Sequence, residues 1–398
     1  MRNQVDVEHQ KTNNNRLSKT IQSIPPSGIR RFFDLASSMD DVISLGVGEP
    51  DFVTAWNVRE ASIYSMERGY TTYTSNAGLP ELRTHISKYL VEQFNVEYDP
   101  TSEIVVTVGA SEAIDIALRA ILDPGDEVLV VEPCYVSYDP VIRLAGGVPV
   151  PIKTDQDHQF KVTAEAIREK VSPRTKAIIF CFPNNPTGSS MTREDLEGIR
   201  KVLVEHDLIV ISDEIYAELT YDQKHVSIAE LPQMQNRTIL ISGFSKAFAM
   251  TGWRIGYACG PQDIIQAMIK IHQYTMLCAP IMGQKAAIEA LKNGMNEKDK
   301  MIESYKQRRN YVVQAFKDIG LECHQPEGAF YAFPSIKKTG LTSEEFAENL
   351  ILQEKVAVVP GSVFGESGTG YIRCSYATSL ESLKKAMERM ERFIYNQK

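Results

Sequence analysis

At 398 residues the chain exceeds one minimal hydrophobic core, and two domains are expected. Its 43% apolar and 24% charged residues are the composition of an ordinary water-soluble globular protein. With 43 Lys and Arg against 51 Asp and Glu the formal net charge is -8, which argues against nucleic acid or an anionic membrane as a general partner.

No apolar run is long enough to span a bilayer, and the opening text MRNQVDVEHQKTNNNRLSKT has no apolar core for a secretory signal. Six scattered cysteines (Cys134, Cys181, Cys259, Cys278, Cys323 and Cys374) form no C-x-x-C pair and suit reduced thiols in the cytoplasm. The seven histidines show no i, i+4 pair and no Cys/His cluster, so no metal site is expected.

Residues 1–22 are polar and aperiodic and are expected to form a flexible arm. From Ile24 the text IPPSGIRRFFDLA reads as a turn and then a helix, within a segment 23–50 assigned to the smaller domain. Between 51 and 293, the expected large domain, short apolar runs alternate with helical stretches. EIVVTV (103–108) leads into ASEAIDIALRAIL, and DEVLVVE (126–132) follows a DPGD turn. KAIIFCF (176–182) precedes PNNPTG, LIVISDEIY (208–216) follows a helix from Arg193 to His206, and RTILISG (237–243) precedes SKAFAMTGWRIGY. Runs that are apolar on both faces and separated by helices predict an α/β fold, a mostly parallel sheet sandwiched by helices. Four of these runs end in GAS, PNNPTG, SDEIY and SGFSK, and ligands of open α/β sheets bind beyond the carboxyl ends of the strands. One convergent site is therefore expected.

From Gly294 the pattern changes to a long charged helix, NEKDKMIESYKQRRNYVVQAF. Strand candidates GAFYAFPSI, KVAVVPG and GYIRCSYA follow, then a last helix in which Leu380, Leu383, Met387, Met390 and Ile394 share a face. Residues 294–398 are assigned to the smaller α+β domain.

Lys246 follows a strand and has Ser245 on one side and apolar Ala247, Phe248 and Met250 on the other. Partial desolvation of such an amine lowers its pKa and frees it to attack carbonyls. Arg254 keeps its charge and suits a phosphate. Together they suggest a phosphorylated aldehyde held as a Schiff base. Asp213 ends a buried strand, where it either joins a structural ion pair or cap, or keeps a pyridine nitrogen protonated. Tyr216 can reach the ring's phenolic oxygen; Asn185 either belongs to a generic turn or donates to that same oxygen, and Tyr135 either packs as an ordinary tyrosine or stacks on the ring face. Gly109, Ala110 and Ser111 join a strand to a helix whose free amides suit a phosphate. Arg373, in an apolar strand, is either half of an internal ion pair or a fork for a substrate carboxylate. The glycines of GVGEP and GESGTG do not make a dinucleotide fingerprint.

Taken together, PNNPTG, SDEIY and SKAFAMTGWRIGY resemble the class I pyridoxal-phosphate aminotransferases, with Asn185, Asp213, Lys246 and Arg254 in matching order and spacing. SLGVGEPDF, YTSNAGLPELR and PSGIRRF are similar to the subgroup of bacterial aspartate, aromatic and PatA-type (N-acetyl-diaminopimelate) aminotransferases, and the resemblance runs from about Ile24 to the C-terminus. It implies the fold type I architecture, pyridoxal 5′-phosphate as cofactor, amino-acid and 2-oxo-acid substrates with 2-oxoglutarate as shuttle, and ping-pong chemistry. Lys246 would be the Schiff-base and proton-shuttling lysine, Asp213 the partner of the ring nitrogen, and Asn185 and Tyr216 partners of the phenolic oxygen. Ala110, Ser111, Ser245 and Arg254 would hold the phosphate, joined by Tyr73 from a second subunit of a homodimer. Arg373, Gly46 and Asn185 would bind the α-carboxylate. Gly243 stands where some relatives have a phosphate-binding serine, and Ser111 where some acidic-substrate relatives have a lysine. A carbon–sulfur β-lyase on the same fold is the alternative activity.

Overall fold

The apolar runs become a seven-stranded sheet in the computed structural model, which describes residues 16–26, 28–37 and 39–396. Its strands are β1 Ile104–Thr107, β2 Glu127–Glu132, β3 Val148–Lys153, β4 Thr175–Cys181, β5 Ile209–Asp213, β6 Thr238–Gly243 and β7 Gly256–Cys259. Their spatial order is β1-β7-β6-β5-β4-β2-β3. All neighbours from β6 to β3 pair in parallel, while β7 is antiparallel to both β6 and β1. Two of these strands lie outside the sequence expectation. β3 carries Pro149 and Pro151 and lies at the sheet edge, where a missing N–H donor costs least. β7 lies inside the GWRIGY text, where Gly256 and the short apolar run YAC give a weak local signal.

Both faces of the sheet's inner strands are covered, which is why these strands are mostly apolar, whereas the edge strand β3 is largely exposed or half-buried. Val128 and Val130 share a buried cluster with Ala113, Ile114 and Ala117 of the helix Gly109–Ile121. Leu129 and Val131 face the opposite cluster, with Leu196, Ile199 and Val202 of the helix Arg193–Glu205. That helix opens on a capping box between Thr192 and Asp195, as its Thr-x-x-Asp text allows.

The remaining strands are short. Ile43–Ser44 pairs in parallel with Val356–Ala357, and Ile372–Ser375 lies between Val359–Pro360 and Tyr331–Ala332. The charged helix spans Met295–Asp318 and the last helix Leu380–Asn396. Leu383, Met387, Met390 and Ile394 are buried as read, but Leu380 is 43% exposed. It is the first residue of its helix, and its side chain points back past the end of the packed face. Of the expected arm, residues 1–15 lie outside the described residues, whereas Lys19–Ser23 forms a short helix capped by the Ser18 hydroxyl.

Candidate active site

The carboxyl ends of β1, β2, β4, β5 and β6 open on one cavity of about 550 Å³. Ala110 and Ser111 reach it after β1, Tyr135 after β2, Asn185 after β4, and Ser245 and Lys246 after β6. Asp213, the last residue of β5, and Tyr216 complete that wall. The opposite wall brings Gly48, Tyr331 and Arg373.

Burial lowers the Lys246 ammonium to about 8, with Arg373 and Arg254 adding to the shift and Glu49 opposing it. Its Nζ donates to the Gly48 carbonyl at 2.6 Å. Burial also pushes the Asp213 carboxyl up to about 6, against the pull of the Tyr138 hydroxyl, which donates to Oδ2 at 2.7 Å. The Ile215 amide donates to Oδ1 at 3.2 Å. Asp213 is thus fixed through both oxygens. Tyr216 and Tyr331 hydroxyls meet at 2.8 Å, and burial raises both phenols.

A close approach of backbones forms the corner where Arg254 lies. Gly109 has φ +77, and a Cβ there would collide with the Arg254 guanidinium. A Cβ on Gly256 would collide with the backbone of Gly109 and Ala110. These two glycines let the guanidinium and the first turn of a helix face one point, an anion-binding arrangement.

Arg373 is 3% exposed; its Nη1 donates to Asn185 Oδ1 at 2.8 Å and its Nη2 to the Gly46 carbonyl at 2.7 Å. Its Nε has no partner among the described residues, and the guanidinium lies 4.5 Å from the Tyr331 ring centroid. None of the ion pairs among the described residues includes Lys246, Arg254 or Arg373. Three cations on one cavity without carboxylate partners suit a ligand with two anionic groups. The donor set fits pyridoxal 5′-phosphate together with an amino acid: an amine for the aldehyde, a carboxylate for the ring nitrogen, and one anion corner at each end.

Of the residues singled out in the sequence, Gly46 and Gly109 meet the cavity through their contacts with Arg373 and Arg254. Tyr73 does not line it; the side chain is 80% exposed. Sequence reasoning missed Tyr138, Tyr331 and the Gly48 carbonyl. Tyr138 stands three residues after Tyr135 in YVSY, a spacing that could have marked it; the other two carry no local signal.

A family model described as aminotransferase class I and II matches residues 40–390. The chain is 61% identical to a putative aminotransferase, YugH, of Bacillus subtilis, over 95% of this chain and 98% of the relative. It is 47% identical to an aspartate aminotransferase of Pyrococcus abyssi, covering 96% and 99%, and 44% identical to a probable N-acetyl-LL-diaminopimelate aminotransferase of Bacillus subtilis, covering 95% of each. Among solved structures it is similar to the aspartate aminotransferase of Thermus thermophilus with maleate, at TM-score 0.91 and 38% identity over 94% and 99%. The chain therefore belongs to the class I and II aminotransferases, enzymes whose cofactor is pyridoxal 5′-phosphate.

Proposed function

We propose that the protein moves the amino group of an L-amino acid to a 2-oxo acid by ping-pong exchange, with 2-oxoglutarate as one oxo-acid partner. The observation that carries this reading is the convergence of Lys246, Arg254 and Arg373 with the Asp213 carboxylate on one cavity. Bound pyridoxal 5′-phosphate supplies an aldehyde that joins to amines and a ring that accepts the electrons released at the substrate Cα. Lys246 holds the cofactor through Nζ and, once displaced by the substrate amine, takes the Cα proton. Its lowered pKa, about 8, makes the neutral amine accessible near neutral pH. Asp213 holds the ring-nitrogen proton, Asn185 and Tyr216 orient the ring oxygen, and Tyr135 covers the ring face. Gly109, Ala110, Ser111, Ser245 and Arg254 bind the phosphate. Gly46, Asn185 and Arg373 bind the α-carboxylate, which turns the Cα bonds toward Lys246.

A homodimer belongs to this proposal. Tyr73, Trp56, Tyr64, Tyr274 and Met276 are exposed by half or more, an apolar share that suits a covered face. An open groove of about 570 Å³, lined by Thr54, Thr251, Trp253 and Arg254, offers the partner's Tyr73 an entrance to the phosphate corner. The division into a large domain, 51–293, and a smaller one from 23–50 and 294–398 is part of the same reading. So is a cytoplasmic location, supported by six unpaired cysteines. No helix among the described residues is long and apolar enough to cross a membrane.

Relatives named for aspartate, aromatic amino acids and N-acetyl-LL-diaminopimelate support that substrate range and do not favour the carbon–sulfur lyase. The test mixes purified protein with single amino acids and follows the cofactor's visible absorbance, then restores it with 2-oxoglutarate. Borohydride reduction should add the cofactor's mass at Lys246. Absence of both responses, or label on another lysine, sinks the proposal.

A further inference from the structure

Beside the phosphate corner, Glu112 and His272 form a buried pair that does not line the cavity. Glu112 belongs to the first turn of the helix Gly109–Ile121. Its Oε2 accepts from the Val108 amide at 2.5 Å, and its Oε1 meets His272 Nδ1 at 2.6 Å. The His272 side chain is fully buried, and its Nε2 has no partner among the described residues. Because an ionised carboxylate only accepts, Nδ1–H is the donor.

A carboxylate in the first turn of a helix is drawn to the same unpaired amides that suit a phosphate. A free Glu112 side chain would compete with the phosphate for those amides and repel it. Held on Val108, one residue before the helix, it leaves the amides of Gly109, Ala110 and Ser111 to the cavity. The same histidine braces the neighbouring loops. Its carbonyl accepts from Met276 and Leu277 at 2.9 Å, and the Leu277 carbonyl accepts from Asn76 at 2.7 Å, three residues beyond Tyr73.

We propose that His272 is a positioning residue for the cofactor's phosphate, acting by pinning Glu112 to the Val108 amide. This rests on the reading of Ala110, Ser111 and Arg254 as phosphate contacts. The full-length chain, freed of cofactor, is titrated with pyridoxal 5′-phosphate and with pyridoxal, which lacks only the phosphate. His272→Leu leaves Glu112 with the Val108 amide as its one remaining partner among these bonds, loosens it, and weakens the phosphorylated form on the order of tenfold, with pyridoxal unchanged. His272→Asn retains a donor near the Nδ1 position and recovers most of that loss. Adding Glu112→Gln to His272→Leu removes the released charge and also recovers affinity, which keeps the inference testable if the single variant folds poorly. Equal weakening of both ligands, no weakening of either, or no recovery in the double variant overturns it. Arg254→Gln tests the phosphate reading alone: it abolishes the preference for the phosphorylated form. If that preference survives, the phosphate assignment falls first, and the role of His272 with it.

Discussion

Asn185, Asp213 and Lys246 rise from β4, β5 and β6, strands of seven, five and six residues with both faces covered, whereas Arg373 and Tyr331 stand on strands of four and two residues. The first wall is set by a parallel ladder in which Cys181, Asp213 and Ile241 lie in register. The second is tied to it by side-chain bonds that cross the cavity: Arg373 to Asn185, Lys246 to Gly48, and Tyr331 to Tyr216. A ladder holds its members cooperatively, while individual bonds contribute only about 1 kcal/mol each. The contrast suggests a division of labour. In the proposed function the groups for bond chemistry, Lys246 and Asp213, belong to the rigid wall, and the main substrate anchor, Arg373, to the adjustable one.

Kinetics of single variants can break that division. Lys246→Ala should lower kcat by about 10⁴ or more while the melting temperature stays close to that of the parent, since the proposed function gives its amine to the chemical step. A surviving kcat would remove Lys246 from the rigid wall's chemistry. Arg373→Leu should lower kcat/KM on the order of a hundredfold, chiefly through KM, because it deletes the charge-assisted bonds that the proposed function gives to the substrate carboxylate. A loss confined to kcat would erase the proposed difference between the walls. Tyr331→Phe keeps the ring under Arg373 and loses only the hydroxyl bond to Tyr216. A change of roughly threefold in KM is expected, and a larger fall in kcat would assign that hydroxyl to the chemistry.

The smallest effect concerns pH. In the cofactor-free protein burial raises Asp213 from the ordinary carboxyl range to about 6. Between about pH 4 and 6 the folded chain then binds more protons than the unfolded one, so stability falls as pH rises through that window. Asp213→Asn should flatten this slope in a urea titration across the window. An unchanged slope would show that Asp213 is not held in a dry, rigid setting.

Much of the first wall was legible because its signals are local. Apolar runs marked five of the seven strands, and proline, glycine and polar residues marked their ends. β3 escaped notice because its prolines disguise an edge strand, and β7 because four residues give too short a pattern. The second wall was legible only in Arg373, a charge within an apolar strand, and in Gly46, through a resemblance in motif. Leu380 shows the limit of helical periodicity, which assigns a face without showing where the packed part of the helix begins.

The sequence by itself determined the strand ends and the residue types there, since alternation, turn residues and desolvated charges act within a few positions of one another. Tertiary structure decided which atoms meet. Lys246 finds the Gly48 carbonyl across 198 positions, His272 finds Glu112 across 160, Tyr216 finds Tyr331 across 115, and Tyr138 finds Asp213 across 75. No local period or turn residue encodes such a contact, because it exists only once sheet, helices and the short strands have packed around a shared cavity.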